Sequence, residues 1–138
     1  FIEAKENDLE VSSELPSSSD ILSLSTNPLS PWTVSSGHKD GSINVWDLRA
    51  QRLSWSLQAH SSECRSVDYS PNGRWLLSSS FDNSISITDC DIWERRIVSQ
   101  YNDHRNKVLR ATWHPSRPMF ASCSADKTVR LWSPRVDT

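Results

Sequence analysis

The sequence predicts an all-β fold built from three copies of one four-stranded unit. Segments with the same pattern begin at Ser36, Ser78 and Ser122, which are 42 and 44 residues apart. Each copy has an Asp four residues after its Ser, and it ends ten residues after that Ser in Trp-Asp, Thr-Asp or Trp-Ser. No amphipathic helical stretch competes with this repeat, so the fold class is all-β.

Short apolar or aromatic runs in each unit, separated by turn residues, predict paired β-strands. The turn between the second and third strands is Asp40-Gly41, Asp82-Asn83 or Asp126-Lys127, and Gly, Asn and Asp tolerate the positive φ of tight hairpins. The predicted strands are 43–46, 53–57, 64–69, 75–80, 85–88, 97–101, 108–113, 120–124 and 129–132.

Repeats of about 40–45 residues that end in Trp-Asp are typical of the four-stranded blades of β-propellers. Over residues 20–138 the chain resembles the WD-repeat (WD40) family. The resemblance implies a partial propeller of about three blades (20–57, 60–101 and 104–138), the last lacking its own outer strand. We expect it to be a fragment of a seven-bladed ring that needs the missing blades of its own chain. Residues 1–19, acidic and Ser-rich, are predicted to be a linker or a remnant of a preceding blade.

The resemblance also implies a structural tetrad in each blade, in which Trp donates to Ser, Ser to His, and His to Asp. Each residue type suits its place, because Trp only donates, Asp only accepts, and Ser and neutral His do both. The second unit has Thr88 where Trp is expected, and the first has no His upstream of its Ser. The expected members are His104, Ser122, Asp126 and Trp132, then His60, Ser78 and Asp82, then Ser36, Asp40 and Trp46.

Composition and motifs argue against several classes of function. Ser122, His104 and Asp126 could be read as a hydrolase triad, but the chain has no G-x-S-x-G and Ser122 would lie inside a blade. There is no C-x-x-C or H-x-x-x-H for a metal, and 3 Gly cannot build a phosphate loop for a cofactor. A net charge of −2 argues against direct binding of nucleic acid, and no apolar run is long enough to cross a membrane. We therefore expect no enzyme, no cofactor and no small-molecule substrate.

The remaining class is a non-catalytic scaffold that binds proteins or peptides on the faces of the propeller. Lys39 and Phe81 precede the Asp of the first two units, positions from which WD relatives often contact partners. Phe81 is the best single anchor, because aromatic side chains dominate binding energy at interfaces; the alternative is that it only packs on a neighbouring loop. Arg49 is expected on the opposite face.

Three subclasses remain open. The pattern around His60 and Trp113 resembles the C-terminal propeller of nemitin-type, microtubule-associated WD proteins, which implies a cytoskeletal adaptor. Alternatively, Trp46-Asp47-Leu48-Arg49 matches the W-D-x-R box by which some WD proteins dock the adaptor of a cullin-type ubiquitin ligase. A WD subunit of an RNA-processing complex is the third hypothesis.

Three widely spaced Cys predict no disulfide framework, so we expect a cytoplasmic location, with a cytoskeletal or nuclear one left open. In the cytoskeletal hypothesis, we expect a basic clump to face acidic tubulin tails: Arg95, Arg96, Arg105, Lys107 and Arg110.

Overall fold

A computed structural model describes residues 11–133, which form eleven β-strands and no helix. The strands are β1 (Ile21–Thr26), β2 (Thr33–His38), β3 (Ser42–Asp47), β4 (Arg52–Gln58), β5 (Cys64–Tyr69), β6 (Trp75–Ser80), β7 (Ile85–Asp89), β8 (Arg96–Tyr101), β9 (Val108–Trp113), β10 (Phe120–Ser124) and β11 (Val129–Trp132). Residues 1–10 of the predicted acidic segment and residues 134–138 of the predicted third blade lie outside the described part.

The strands form three antiparallel sheets, each a simple meander in chain order. Strands β1 to β4 and β5 to β8 form four-stranded sheets, and β9 to β11 form a sheet that has three strands in the described part. This arrangement confirms the predicted all-β architecture of about three blades. The sequence patterns missed β1 and β2, whose serines and glycine interrupt the apolar alternation by which half-buried strands are found.

Two apolar layers hold the three sheets together. The layer between the first and second sheets contains Ile43, Ala59, Cys64, Val67, Tyr69 and Leu76. The layer between the second and third contains Trp75, Leu77, Ile85, Ile87, Val108, Ala111, Trp113 and Phe120. Burying such side chains is worth about 1.5–3 kcal/mol each, so these layers fix how the sheets stack.

Polar contacts across the two boundaries align one sheet with the next. The Ser35 hydroxyl donates to the Tyr69 hydroxyl at 2.5 Å across the first boundary. Across the second boundary, the Asp68 carboxylate accepts the backbone N–H of Trp113 at 2.8 Å, and the Asp68 carbonyl accepts its indole N–H at 3.1 Å. Directional bonds of this kind set the register between sheets, which apolar packing alone does not.

The turn between β2 and β3 requires glycine. Gly41 has a φ of +88°, and an added Cβ would lie 2.2 Å from the carbonyl oxygen of His60. Its own carbonyl accepts the N–H of His60 at 3.1 Å. The equivalent residues Asn83 and Lys127 also have positive φ, at 71° and 70°. The first sheet therefore touches the backbone of the loop that carries the histidine of the second sheet.

Candidate functional site

The third sheet contains a continuous chain of four buried or half-buried polar groups. The Trp132 indole N–H donates to the Ser122 hydroxyl oxygen at 2.8 Å, and that hydroxyl lies 2.7 Å from Nε2 of His104. Nδ1 of His104 lies 2.8 Å from the Asp126 carboxylate. Because a carboxylate only accepts, Nδ1 carries the proton, and Nε2 accepts from Ser122. The structure thus brings the four expected residues of this unit together.

The second sheet has the same chain without its tryptophan. Nε2 of His60 lies 2.9 Å from the Ser78 hydroxyl, and Nδ1 lies 3.2 Å from the Asp82 carboxylate. Thr88 is fully buried where Trp would stand, and its hydroxyl has no hydrogen-bond partner in the described part of the chain. The threonine therefore does not replace the bond that an indole would make.

In the first sheet, a histidine that the sequence reasoning missed takes the expected place. Nε2 of His38 lies 2.7 Å from the Ser36 hydroxyl, which also accepts the Trp46 indole N–H at 2.7 Å. Nδ1 of His38 faces the Ser19 carbonyl at 3.3 Å and the Ser17 hydroxyl at 3.2 Å. In the other two units the histidine precedes the serine, whereas here the spacing Ser-x-His, which puts both residues on one face of a strand, is the signal in the sequence.

Each of the three turns is closed by the aspartate and a hydroxyl residue two positions later. Asp40 accepts the N–H and hydroxyl of Ser42, whereas the ring nitrogens of His38 bond Ser36, Ser17 and Ser19 rather than Asp40. Asp82 accepts those of Ser84 in the same way, and Asp126 those of Thr128. The sequence reasoning missed these hydroxyl residues, although a Ser or Thr two positions after Asp is a known turn signal.

These contacts lower the pKa of both histidine-linked carboxyls. The hydrogen bond from Thr128, reinforced by that from His104, holds the pKa of Asp126 well below its ordinary 3.8. Burial raises the pKa of Asp82, but hydrogen bonds from His60 and Ser84 outweigh it and the net pKa is lowered. A lowered folded-state pKa stabilises the fold above pH 3.8, and that stabilisation is lost as the pH falls through the folded value.

Ser122, Cys64 and Cys90 do not have the surroundings of an activated nucleophile. Ser122 is 3% exposed and its oxygen already accepts from Trp132, unlike the serine of a hydrolase elbow. Burial raises the pKa of Cys64 and of Cys90 to about 12, so both thiols stay protonated at neutral pH. Within residues 11–133, no cluster of His, Cys, Asp and Glu is arranged to hold a metal, and no helix is long and apolar enough to cross a membrane.

The residue before each turn aspartate is fixed by its backbone to the loop or segment that precedes the first strand of a sheet. Each backbone N–H donates to a backbone carbonyl at 2.9–3.0 Å: Lys39 to Asp20, Phe81 to Glu63, and Ala125 to Lys107. Lys39, Phe81 and Ala125 therefore lie at equivalent places along one face, which we call the turn face. Lys39 and Ala125 are exposed, and Phe81 is half-buried.

Phe81 lies between two cationic side chains from neighbouring sheets. The Arg65 guanidinium is 4.9 Å from the centre of its ring, and the Lys107 ammonium is 4.7 Å away. Arg65 also makes a longer contact, 3.4 Å, with the Glu63 carboxylate. The turn face therefore presents a fixed aromatic ring with positive charge beside it.

Arg49 lies beyond the far end of β3, away from the turn face. Its side chain is exposed and its guanidinium is 4.9 Å from the Trp32 ring. The Asp47 carboxylate accepts the backbone N–H of Arg49 and of Ala50, which holds this loop in place. Trp46 points into the sheet, so Arg49 is the exposed end of the Trp-Asp-Leu-Arg segment.

The predicted basic clump does not form one patch. Arg95 and Arg96 lie at the start of β8, whereas Arg105 and Lys107 follow its end near the turn face, and Arg110 lies within β9. The six residues of β8 separate the two groups by about 20 Å, at about 3.3 Å per residue. Nearness in sequence was misleading because a strand lies between them.

Replacing threonine by valine should have opposite effects in the second and third sheets. Thr88→Val removes a buried hydroxyl that has no partner, so we expect the free energy of unfolding to rise by up to about 1 kcal/mol. Thr128→Val removes the hydroxyl that donates to Asp126, so we expect a loss of about 1 kcal/mol. Urea unfolding followed by tryptophan fluorescence measures both, and a destabilised Thr88→Val variant would contradict the assignment.

Comparison with known proteins agrees with this geometry. The family model described as WD domain, G-beta repeat matches residues 10–47, 51–89 and 95–133. Actin-interacting protein 1 of Drosophila melanogaster is 30% identical over 84% of this chain and 19% of its own length. A probable coatomer subunit beta' of Schizosaccharomyces pombe is 32% identical over 81% of this chain and 14% of its own length.

A third relative, striatin-3 of Rattus norvegicus, is 30% identical over 89% of this chain and 16% of its own length. The chain thus spans less than a fifth of each of these three relatives. The repeated match covers most of the chain, and each matched segment contains the first three strands of one sheet. The second and third segments begin with β4 and β8, the last strand of the preceding sheet. The chain belongs to the WD40 repeat family.

Proposed function

We propose that this chain is part of a non-catalytic scaffold whose turn face binds an acidic segment of a partner protein. The observation that carries the proposal is the Phe81 ring held between Arg65 and Lys107. Aromatic side chains in fixed positions are frequent hot spots, because little conformational freedom is lost when a partner covers them. The alternative, that Phe81 only packs on its neighbours, predicts no loss of binding when the ring is removed.

The charges of the turn face favour an acidic partner. Lys39, Arg105 and Lys127 are exposed near the three turns, in addition to the cations beside Phe81. The turn carboxylates Asp82 and Asp126 keep their negative charge, but both are half-buried and already accept hydrogen bonds within their own sheets, whereas these three cations are exposed. A carboxylate-rich segment would therefore meet complementary charge, which raises its association rate and helps to orient it.

The cytoskeletal version of this proposal names the acidic tails of tubulin as the partner. The resemblance to nemitin-type proteins and the cations of the turn face support it. The basic clump does not, because its residues do not form one patch. A cytoplasmic location fits this role. Among the relatives, one is named an actin-interacting protein and another a probable cytosolic iron-sulfur protein assembly protein, names that apply to those proteins.

We also propose that these sheets belong to a seven-bladed ring completed by further blades of the same protein. On the third sheet, Val129 and Leu131 are each 73% exposed, so the side of β11 that faces away from the second sheet is apolar. Another blade stacked there would bury them, as the second and third sheets bury each other's apolar side chains.

Microtubule co-sedimentation tests the cytoskeletal version. We expect the chain to pellet with microtubules, less so as salt rises, and about tenfold more weakly after Phe81→Ala, because the ring would supply about 1–2 kcal/mol of binding. Arg49→Ala, which changes an exposed cation away from the turn face, is the matched control and should leave the affinity unchanged. Equal binding to microtubules whose acidic tails have been removed by protease would contradict the proposal.

A second candidate function is docking of a cullin-type ligase adaptor through Arg49. The supporting observation is that this exposed guanidinium is stacked on Trp32 and has no salt bridge among the described residues. Capture of the purified adaptor by the chain should be lost in Arg49→Ala and kept in Phe81→Ala, the reverse of the pattern expected for microtubules. Unchanged capture by Arg49→Ala would remove this candidate.

A further inference from the structure

The loop between β7 and β8, residues 90–95, exposes two large apolar side chains. Trp93 is 88% exposed and Ile92 is 66% exposed. Trp93 is the most exposed large apolar side chain among the described residues. Such side chains are unfavourable in water, and an exposed aromatic beside a second apolar group is characteristic of a binding surface. The loop lies at the opposite end of the second sheet from Phe81.

Hydrogen bonds hold this loop in one conformation. The Asp91 carboxylate accepts the N–H of Trp93 at 3.0 Å, and the Asp91 carbonyl accepts the N–H of Glu94 at 2.9 Å. At the base of the loop, Arg74 makes two hydrogen bonds to the Asp89 carboxylate, at 3.1 and 2.9 Å. Trp93 is therefore exposed on an ordered loop, so little conformational entropy of the loop is lost when a partner binds.

A cavity of about 200 Å³ between the first and second sheets lies beside this loop. Its lining includes Ile92, Arg95, Cys90, Trp55 and Tyr69. The Arg95 guanidinium lies 5.6 Å from the centre of the Trp55 ring. Its Nε is buried and has no hydrogen-bond partner among the described residues. Because buried donors are nearly always paired, we expect an acceptor from beyond the described residues, such as a water or a ligand group in the cavity, beside this atom.

The charges around the cavity favour a carboxylate as that acceptor. Asp89 is paired with Arg74, and Glu94 is paired with Arg96 at 2.8 Å. Asp47, which also lines the cavity, and Asp91 in the loop have no salt bridge among the described residues, but the carboxylate of each accepts backbone N–H groups: those of Arg49 and Ala50 for Asp47, and that of Trp93 for Asp91. Arg95 has no salt bridge in residues 11–133, so it is the cation left to bind an anion. A guanidinium matches the two oxygens of a carboxylate in shape as well as in charge.

We propose that this cleft binds an acidic linear peptide, with one carboxylate on Arg95 and a neighbouring apolar side chain against Ile92 and Trp93. The site is separate from the turn face and independent of the function proposed for it. It gives the chain a second face for partners, so one scaffold can hold two proteins on opposite sides.

Subtractive selection from a phage-displayed library of random 12-residue peptides tests the proposal. The library is first depleted on the chain carrying Trp93→Ala and Arg95→Gln, and then selected on the unchanged chain. We expect the enriched peptides to combine Asp or Glu with Leu, Ile, Phe or Trp. In titrations with the synthetic peptides, each single variant should weaken binding at least tenfold, and added salt should weaken it further.

Phe81→Ala is the matched control, because it lies on the turn face and should leave the affinity of these peptides unchanged. Thermal unfolding of each variant confirms that it is folded; both loop side chains lie outside the two apolar layers. Failure of any peptide to survive depletion would overturn the proposal, as would enrichment of basic peptides. Enriched peptides that bind the Trp93→Ala and Arg95→Gln variants as tightly as the unchanged chain would also overturn it. If a water rather than a carboxylate pairs with Arg95, Arg95→Gln will bind these peptides as well as the unchanged chain does.

Discussion

A buried hydrogen bond between a histidine Nε2 and a serine hydroxyl recurs in every sheet, and the rest of each unit is arranged around it. The distances are 2.7 Å for His38 and Ser36, 2.9 Å for His60 and Ser78, and 2.7 Å for His104 and Ser122. The other partners vary: the third sheet has both Asp and Trp, the second lacks Trp, and the first uses backbone and serine oxygens in place of Asp. The imidazole–serine bond is thus the constant part of each unit. Removing one of its two partners lowers stability, because the other is left buried and unpaired.

This bond matters for function because of where the histidines lie. His60 and His104 lie in the loops that precede the first strands of their sheets, and their Nδ1 atoms reach the turn aspartates. Each histidine loop is thereby joined to the turn of its own sheet on the turn face. Phe81 lies on this face, beside cations from two sheets. The opposite face is organised by different contacts, namely aspartate-capped loops and the pairing of Arg74 with Asp89. A rigid body with two independently ordered faces is well suited to bring partners together.

The strands that carry apolar periodicity could be predicted from the sequence, because spacing and turn chemistry repeat together in the units around Ser78 and Ser122. Strands β1 and β2 could not, since β1 is mostly exposed or half-exposed and β2 buries serines, a glycine and a histidine rather than an alternating set of apolar side chains. His38 was missed because its role depends on which side chains share a strand face. The basic clump was wrong because residues close in sequence lie at opposite ends of β8. The orphaned Nε of Arg95 has no signal in the sequence, since it depends on two sheets meeting.

The imidazole–serine bond is tested most directly by a double-mutant cycle on His104 and Ser122. His104→Ala, Ser122→Ala and the double variant are unfolded in urea under the same conditions, and the coupling energy is taken from the four free energies. The account predicts that the double variant loses less stability than the two single losses combined, by about 1 kcal/mol or more, because each single change leaves the other group buried and unpaired. Losses that add to within about 0.5 kcal/mol would contradict it, since they would mean that the two side chains stabilise the sheet independently.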